Sequence, residues 1–263
     1  MTDQETPKRP VAIDLFCGAG GMSLGFEQAG FDVVLGVDVD GHHVAAHARN
    51  FPQSVALCRS VVDFDADGVW AALGGKVAVD LVFGGPPCQG FSHMGLRDAQ
   101  DSRNSLVDQF SRLVAEIQPR AFVMENVPGM IAGATRAILD RTISFLEEAG
   151  YRIEKPVRSL DAADFGVPQK RKRLFLLGVR ADVAPRIGYP SGPCPGQPAR
   201  PTVLEAIADL PRVERRDELF EEDVAPYDRQ PETEYARVAR GVFDDPSDFS
   251  HPREWSGLRC TGC

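Results

Sequence analysis

The stretch Val11-Ala-Ile-Asp-Leu-Phe-Cys-Gly-Ala-Gly-Gly21 decides the architecture. It is a short, nearly continuous apolar run that breaks into a glycine-rich turn. Helical spacing follows over 21–29, and then a second apolar run, VVLGVD, at 33–38. Strand, glycine turn, helix and strand make a βαβ unit, which requires a parallel pair. The alternation continues outward with apolar runs at 77–83 (VAVDLVF), 121–126 (AFVMEN) and 173–179 (RLFLLGV). Patterns of roughly 3.6-residue period occupy 42–50, 103–117 and 134–149 between them. Most of the runs are rich in β-branched residues, as parallel strands covered on both faces are. The pattern predicts a doubly wound, Rossmann-like α/β sheet.

The turn is built to approach a ligand. Gly18, Gly20 and Gly21 let the backbone come close, and the helix that follows offers free N–H groups. Asp38 ends the second strand, 20 residues after Gly18, where a carboxylate can accept both hydroxyls of an adenosine ribose. Asp14, an acidic residue inside the first strand, suits a cofactor with an amino-acid tail better than one with a pyrophosphate.

Three further segments carry chemistry. The run at 77–83 ends in Gly84-Gly85-Pro86-Pro87-Cys88-Gln89-Gly90-Phe91-Ser92. Two prolines stiffen the chain directly before a cysteine, and a thiol on a rigid loop at a strand's carboxyl end is placed to act as a nucleophile. AFVMEN ends in Glu125-Asn126, where a carboxyl group can hold or protonate a ring nitrogen. Gln169-Lys-Arg-Lys-Arg173 leads into the last apolar run, and strand alternation would put Arg171 and Arg173 on one face. Arginine there can fork onto a carbonyl oxygen or a phosphate.

The chain has 263 residues with 43% hydrophobic content, enough for one sizeable core and a small second region. The expected division is 1–183 for the catalytic and cofactor-binding domain, a Pro/Gly-rich linker with a short helix at 184–211, and a charged region at 212–263 with little to bury. Net charge is −9, but residues 212–248 hold 12 Asp/Glu and 6 Arg, which accounts for −6 of it. The acidic balance therefore argues only against binding by bulk electrostatics. Six scattered cysteines form no disulfide framework and read as reduced. Cys17, Cys58 and Cys194 read as buried structural thiols, and the Cys260/Cys263 pair as neither zinc nor redox centre; no metal site is expected. No apolar run is long enough to span a membrane and no leader is apparent, so a cytoplasmic, nucleoid-associated location is expected.

Taken together these segments resemble the bacterial DNA (cytosine-5)-methyltransferase family. DLFCGAGG is similar to its first cofactor motif, GGPPCQGFS to its catalytic motif, ENV to its base-contacting motif and QKRKR to its substrate-arginine motif. DSRNSL (101–106) resembles the loop and helix whose leucine lines the cofactor pocket, and TVLEAIADLP recurs before the target recognition region. The resemblance implies S-adenosyl-L-methionine as cofactor, held by Asp14, Phe16, Gly18, Gly20, Gly21, Asp38, Ser60, Pro86 and Leu106. It implies duplex DNA as substrate, with a flipped cytosine attacked at C6 by Cys88. The same resemblance implies that Glu125 holds or protonates N3 and that Arg173, helped by Arg171, binds O2. By the same resemblance Gln89, Ser92, Asn126 and Gln169 are expected to line the substrate side.

Two departures stand out. The family's adenine-contacting Asp after the third strand is replaced by Ser60 in CRSVVDFD, unless the alignment slips to Asp63. The closing motifs beyond the recognition region are not found before HPREWSGLRCTGC. That predicts a chain weakly active alone, a C-terminal complementing chain, or a non-catalytic cofactor- or partner-binding fragment; a cognate restriction endonuclease is a further expected partner. A tRNA cytosine-5-methyltransferase on the same fold is the other alternative, although its Cys-Phe-Thr signature is missing here.

Overall fold

The computed structural model of the chain describes residues 9–87, 106–131, 135–184, 186–192, 200–210 and 230–240. One sheet of eight strands organises it. Its strands are β1 (Val11–Leu15), β2 (Asp32–Asp38), β3 (Val55–Cys58), β4 (Leu81–Gly84), β5 (Ala121–Asn126), β6 (Tyr151–Ile153), β7 (Arg158–Asp161) and β8 (Lys172–Arg180). The spatial order is β3-β2-β1-β4-β5-β8-β6, with β7 pairing to β8 off this path. The pairs among β1 to β5 are parallel. The last strand corrects the expectation of a parallel set, because β8 runs antiparallel to both β5 and β6. An apolar run buried on both faces reads the same in either direction, so composition carries no orientation.

Helices cover both faces. Residue alternation along the strands, interrupted on β2 where the register with β1 shifts between Ala12 and Ile13, splits the buried side chains into two sets. Ala12, Val33, Leu81 and Phe83 pack with Met22 and Phe26 of α1 (Gly21–Gln28). Ile13, Leu35, Val82, Phe122 and Met124 face the other way. They join Val69 of α3 (Ala66–Ala72), Phe110 and Leu113 of α4 (Leu106–Ile117), and Leu139 and Leu146 of α5 (Arg136–Glu148). α2 (Gly41–Asn50) is capped at its start by the Asp40 carboxylate, which accepts from the His42 N–H.

The third expected strand, β4 in the structure, is shorter than its apolar run. Residues 77–80 precede β4, and the Asp80 carboxylate accepts from the Val11 N–H at 2.9 Å instead of leaving that edge unpaired. Cys58 corrects another expectation. It is exposed rather than buried, because β3 is the edge strand of the path.

The described residues fall into two compact units. One takes the residues up to Ser159 together with Arg173–Tyr189; the other takes Leu160–Lys172 and the residues from Pro190 onward. Within the second, α6 (Val203–Ile207) carries the helix expected in TVLEAIADLP, opened by a reciprocal capping box between Thr202 and Glu205. α7 (Glu234–Ala239) lies in the stretch expected to bury little, yet it packs on α6: the Thr233 hydroxyl donates to the Glu205 carbonyl at 2.6 Å, and Arg240 pairs with the buried Asp209 carboxylate.

Candidate active site

The strand order reverses between β1 and β4, and in doubly wound sheets such a switch point is where ligands bind, beyond the carboxyl ends of the strands. The backbone there is shaped for close approach. Gly84 at the end of β4 has no room for a side chain, since a Cβ would stand 2.0 Å from the Leu15 carbonyl oxygen of β1. Phe16, next in the chain, takes φ 67°, a conformation few bulky residues adopt. Gly18 and Gly20 also have positive φ, 52° and 96°.

The turn is fixed from three sides. Asp38, with a side chain 13% exposed, accepts from the Gly18 N–H at 3.0 Å through one carboxylate oxygen and from the Asp40 N–H at 3.0 Å through the other. Asn50 at the end of α2 donates to the Ala19 carbonyl at 2.9 Å. Phe51 packs under Gly20 so closely that a Cβ would stand 2.1 Å from its ring. Asn50 and Phe51 escaped the sequence reading. Their signal is an amide and an aromatic at the close of the helical pattern over 42–50.

Asp14 is buried on the α1 side of the sheet and accepts from the Ser23 hydroxyl at 2.6 Å. Burial pushes its carboxyl up to about 8, Asp38 adds to the rise, and the Ser23 bond opposes it. Burial likewise raises the Cys17 thiol, with Asp14 and Asp38 adding to the effect.

Ser60 follows β3 and spends its hydroxyl locally, accepting from the Val62 N–H at 3.2 Å as the cap of a short 3-10 turn. Arg112 of α4, another residue not singled out from sequence, holds that turn by donating to the carbonyls of Val61 (2.9 Å) and Phe64 (2.7 Å). Leu106 opens α4 and packs against the core.

The second half of the site lies at the ends of β4, β5 and β8. A Cβ on Gly85 would stand 3.1 Å from Glu125 Oε2. Buried Asn126 donates through Nδ2 to the Pro86 carbonyl at 2.8 Å and accepts from the Val127 N–H at 2.8 Å. Arg173 Nε pairs with Glu125 Oε1 at 2.8 Å, both side chains about three-quarters buried. The reversal of β8 makes this contact possible, because it delivers the start of that strand to an edge otherwise made of strand ends. β8 begins at Lys172, so alternation along the strand covers Arg173 but not Arg171. Arg171 is exposed, and its N–H donates to the Asp161 carboxylate at 3.1 Å. Gln169 is exposed in the same segment. Cys88, Gln89 and Ser92 lie outside the described residues, as do Cys194, Cys260 and Cys263. Among the described residues no cluster of three His, Cys, Asp or Glu side chains could hold a metal, and no helix is long and apolar enough to cross a membrane.

A 3-2-1-4-5 parallel order, an antiparallel strand beside β5, and a glycine turn facing a strand-end carboxylate define a Rossmann-like methyltransferase fold. The chain belongs to the C-5 cytosine-specific DNA methylase family, whose model matches residues 11–233. It is 46% identical over 255 residues to the Type II methyltransferase M.XorII of Xanthomonas oryzae pv. oryzae, covering 97% of this chain and 59% of that protein. It is 37% identical to the Type II methyltransferase M.AgeI of Thalassovita gelatinovora, covering 92% of this chain and 60% of that one. Among solved structures, a candidate DNA modification methyltransferase encoded within an E. coli prophage superposes with a TM-score of 0.60 at 37% identity, over 68% of this chain and 49% of that one. The chain thus spans about three-fifths of the length of these curated relatives.

Proposed function

We propose that this chain carries the catalytic core of an S-adenosylmethionine-dependent DNA (cytosine-5)-methyltransferase, with Cys88 as nucleophile. The observation that supports it best is the convergence on the segment just before Cys88. Asn126 fixes the Pro86 carbonyl, and Glu125, paired with Arg173, stands against Gly85.

The residues present fit the cofactor. Asp38 faces the turn after β1 at the switch point, and Gly18 and Gly21 leave open space where a side chain would stand. Asp38 would hold the ribose, Phe16 the adenine, and the segment of Ser60 the edge of the base. Bound S-adenosylmethionine supplies an electrophilic methyl group.

On the substrate side the chain's own residues prepare the base. A cytosine swung out of the duplex enters the crevice. The Cys88 thiolate adds to C6, and the ring electrons shift toward C5 as Glu125 holds or protonates N3 and Arg173 holds O2. After methylation at C5, the C5 proton leaves to a base, the C6–S bond breaks, and Cys88 returns as thiolate. Addition is needed because C5 of cytosine is too weak a nucleophile by itself. Gln89, Ser92 and Gln169 would contact the substrate, with Arg171 supporting Arg173. Duplex DNA is the proposed partner. A cognate restriction endonuclease fits the Type II names of the relatives, and nucleoid association follows from the substrate.

The share of the relatives that this chain leaves uncovered favours a second reading, in which turnover requires the part of those proteins outside the match. Transfer of a labelled methyl group from S-adenosylmethionine to unmethylated bacterial DNA tests both, with tRNA as competitor substrate. Transfer that Cys88→Ser abolishes supports the first reading. Transfer that appears only when the unmatched part of a relative is added supports the second. Transfer to tRNA alone, or transfer that survives Cys88→Ser, overturns the proposal.

A further inference from the structure

Behind the turn after β1 lies a polar chain of which only Asp14 has been given a part, that of a cofactor contact implied by the family resemblance. Asp14 Oδ2 and Ser23 Oγ are 2.6 Å apart, and Ser23 Oγ is 3.1 Å from His47 Nε2. All three residues are almost fully buried, at 1%, 0% and 0% exposure. His47 sits on α2 and reaches the sheet through a gap made for it: a Cβ on Gly36 of β2 would stand 2.6 Å from its ring. Gly36 is also the register partner of Asp14. The far ring nitrogen, Nδ1, has no hydrogen-bond partner among the described residues. The same ring stacks on Phe51, which packs under Gly20.

We propose that Ser23 and His47 are positioning residues for the cofactor turn, and that Asp14, Ser23 and His47 form one proton-sharing chain that releases its proton when a cationic cofactor binds. This rests on the reading that the turn after β1 holds S-adenosylmethionine, whose sulfonium, ammonium and carboxylate give a net positive charge.

Two arrangements satisfy the chain. In the first, a protonated Asp14 donates to Ser23 Oγ, the Ser23 O–H donates to His47 Nε2, and the ring proton sits on Nδ1. In the second, Asp14 is ionised and accepts from Ser23, the ring proton sits on Nε2 and donates to Ser23 Oγ, and Nδ1 is a bare lone pair. They differ by one proton, lost to solvent, while the imidazole stays neutral throughout. The first strands a buried N–H. The second strands only a lone pair but buries a negative charge. These penalties oppose each other, so a nearby cation decides the balance.

The surroundings leave Asp14 few compensating partners. From β2 comes the carboxylate of Asp38, from its own turn the Cys17 thiol, and from β4 the register partner Phe83. α1 contributes Ser23, while the other buried acid on α1, Glu27, is paired with Arg9 and the Val33 N–H. α2 contributes His47, whose imidazole burial holds below its usual range.

The test uses the full chain in two measurements. In carbon- and nitrogen-detected NMR without cofactor, the Asp14 carboxyl and the His47 tautomer should titrate together in the neutral to alkaline range, with no charging of His47. Ser23→Thr, which keeps the hydroxyl, should preserve the coupling, and Ser23→Ala should abolish it. Separate titrations, or an Asp14 that titrates in the ordinary carboxylate range, overturn the proposal. In calorimetry with S-adenosylmethionine in buffers of different ionisation enthalpy, binding at pH 7 should release protons, and Asp14→Asn should remove that release. A positioning role confined to structure would weaken affinity equally at every pH and leave the proton count unchanged. Binding without proton release overturns the linkage. No binding at all overturns the cofactor reading instead, and the NMR result still decides the chain.

Discussion

Arg173 and Glu125 meet at 2.8 Å although they lie 48 positions apart in sequence, and the register of β8 against β5 fixes that meeting. The pair is partly solvated, so its stabilising value is within about 1 kcal/mol. Its cost to the fold is small enough that its removal should be read in chemistry. We expect Arg173→Ala to shift the thermal midpoint by no more than a few degrees. Methyl transfer should fall at least about 100-fold, the low end of what positioned proton donors and acceptors contribute. A loss of transfer matched by a collapse of the melting transition would mean the residue is structural.

Asn126 behaves differently, because it is buried. Asn126→Ala leaves the Pro86 carbonyl and the Val127 N–H without their side-chain partner. The buried Pro86 carbonyl then costs about 1–3 kcal/mol, whereas the N–H of exposed Val127 can turn to water. Urea denaturation should show that destabilisation. Alkylation of the chain's thiols, followed by peptide mapping, should show an altered rate at Cys88 and an unchanged rate at exposed Cys58.

Two glycines should separate by what a methyl group would strike. At Gly84 the obstacle is the backbone of Leu15, which cannot move without parting β1 from β4. Gly84→Ala should destabilise by about 3 kcal/mol or more, beyond rescue by a second substitution. At Gly36 the obstacle is the His47 ring. Gly36→Ala should be destabilising alone and partly restored by His47→Ala, as a double-mutant cycle in urea would reveal.

The Asp14 carboxyl gives a pH dependence of fixed sign. Its folded value, about 8, lies above its unfolded value of about 3.9. The folded state therefore binds the proton more tightly, and that stability is lost as pH rises from about 4 toward 8. Asp14→Asn lacks the loss. Its melting temperature relative to the parent chain should climb across that interval and level off above it; a constant difference from pH 4 to pH 9 would sink the assignment.

Much of this arrangement could be read before the structure. The runs around Val11, Val33, Phe122 and Leu176 mark strands because each is apolar on both faces. The glycines after Phe16 mark a tight turn by type and spacing, and the Asp38 carboxylate, 20 residues after Gly18, is the group that pins it. β3, β6 and β7 were not marked, since four residues or fewer, half exposed, show no periodicity. The direction of β8 was not legible either, because register and orientation reside in pairing rather than in composition. Ser23, His47 and Arg112 stayed hidden for the same reason. Each matters through a partner distant in sequence, and nothing local distinguishes them from ordinary helix residues.

The late position of β8 also has a consequence during synthesis. When a ribosome has released the chain through Asn126, the glycine turn, the Pro-Pro loop and the acid of β5 have all been made. At that moment β5 still presents a bare edge bearing Phe122 and Met124. Edges of that kind recruit other strands. Until the next fifty or so residues emerge and β8 is laid down, the nascent chain is at its most aggregation-prone. Slowing translation just beyond codon 126 should lower the soluble yield more than slowing it beyond codon 180.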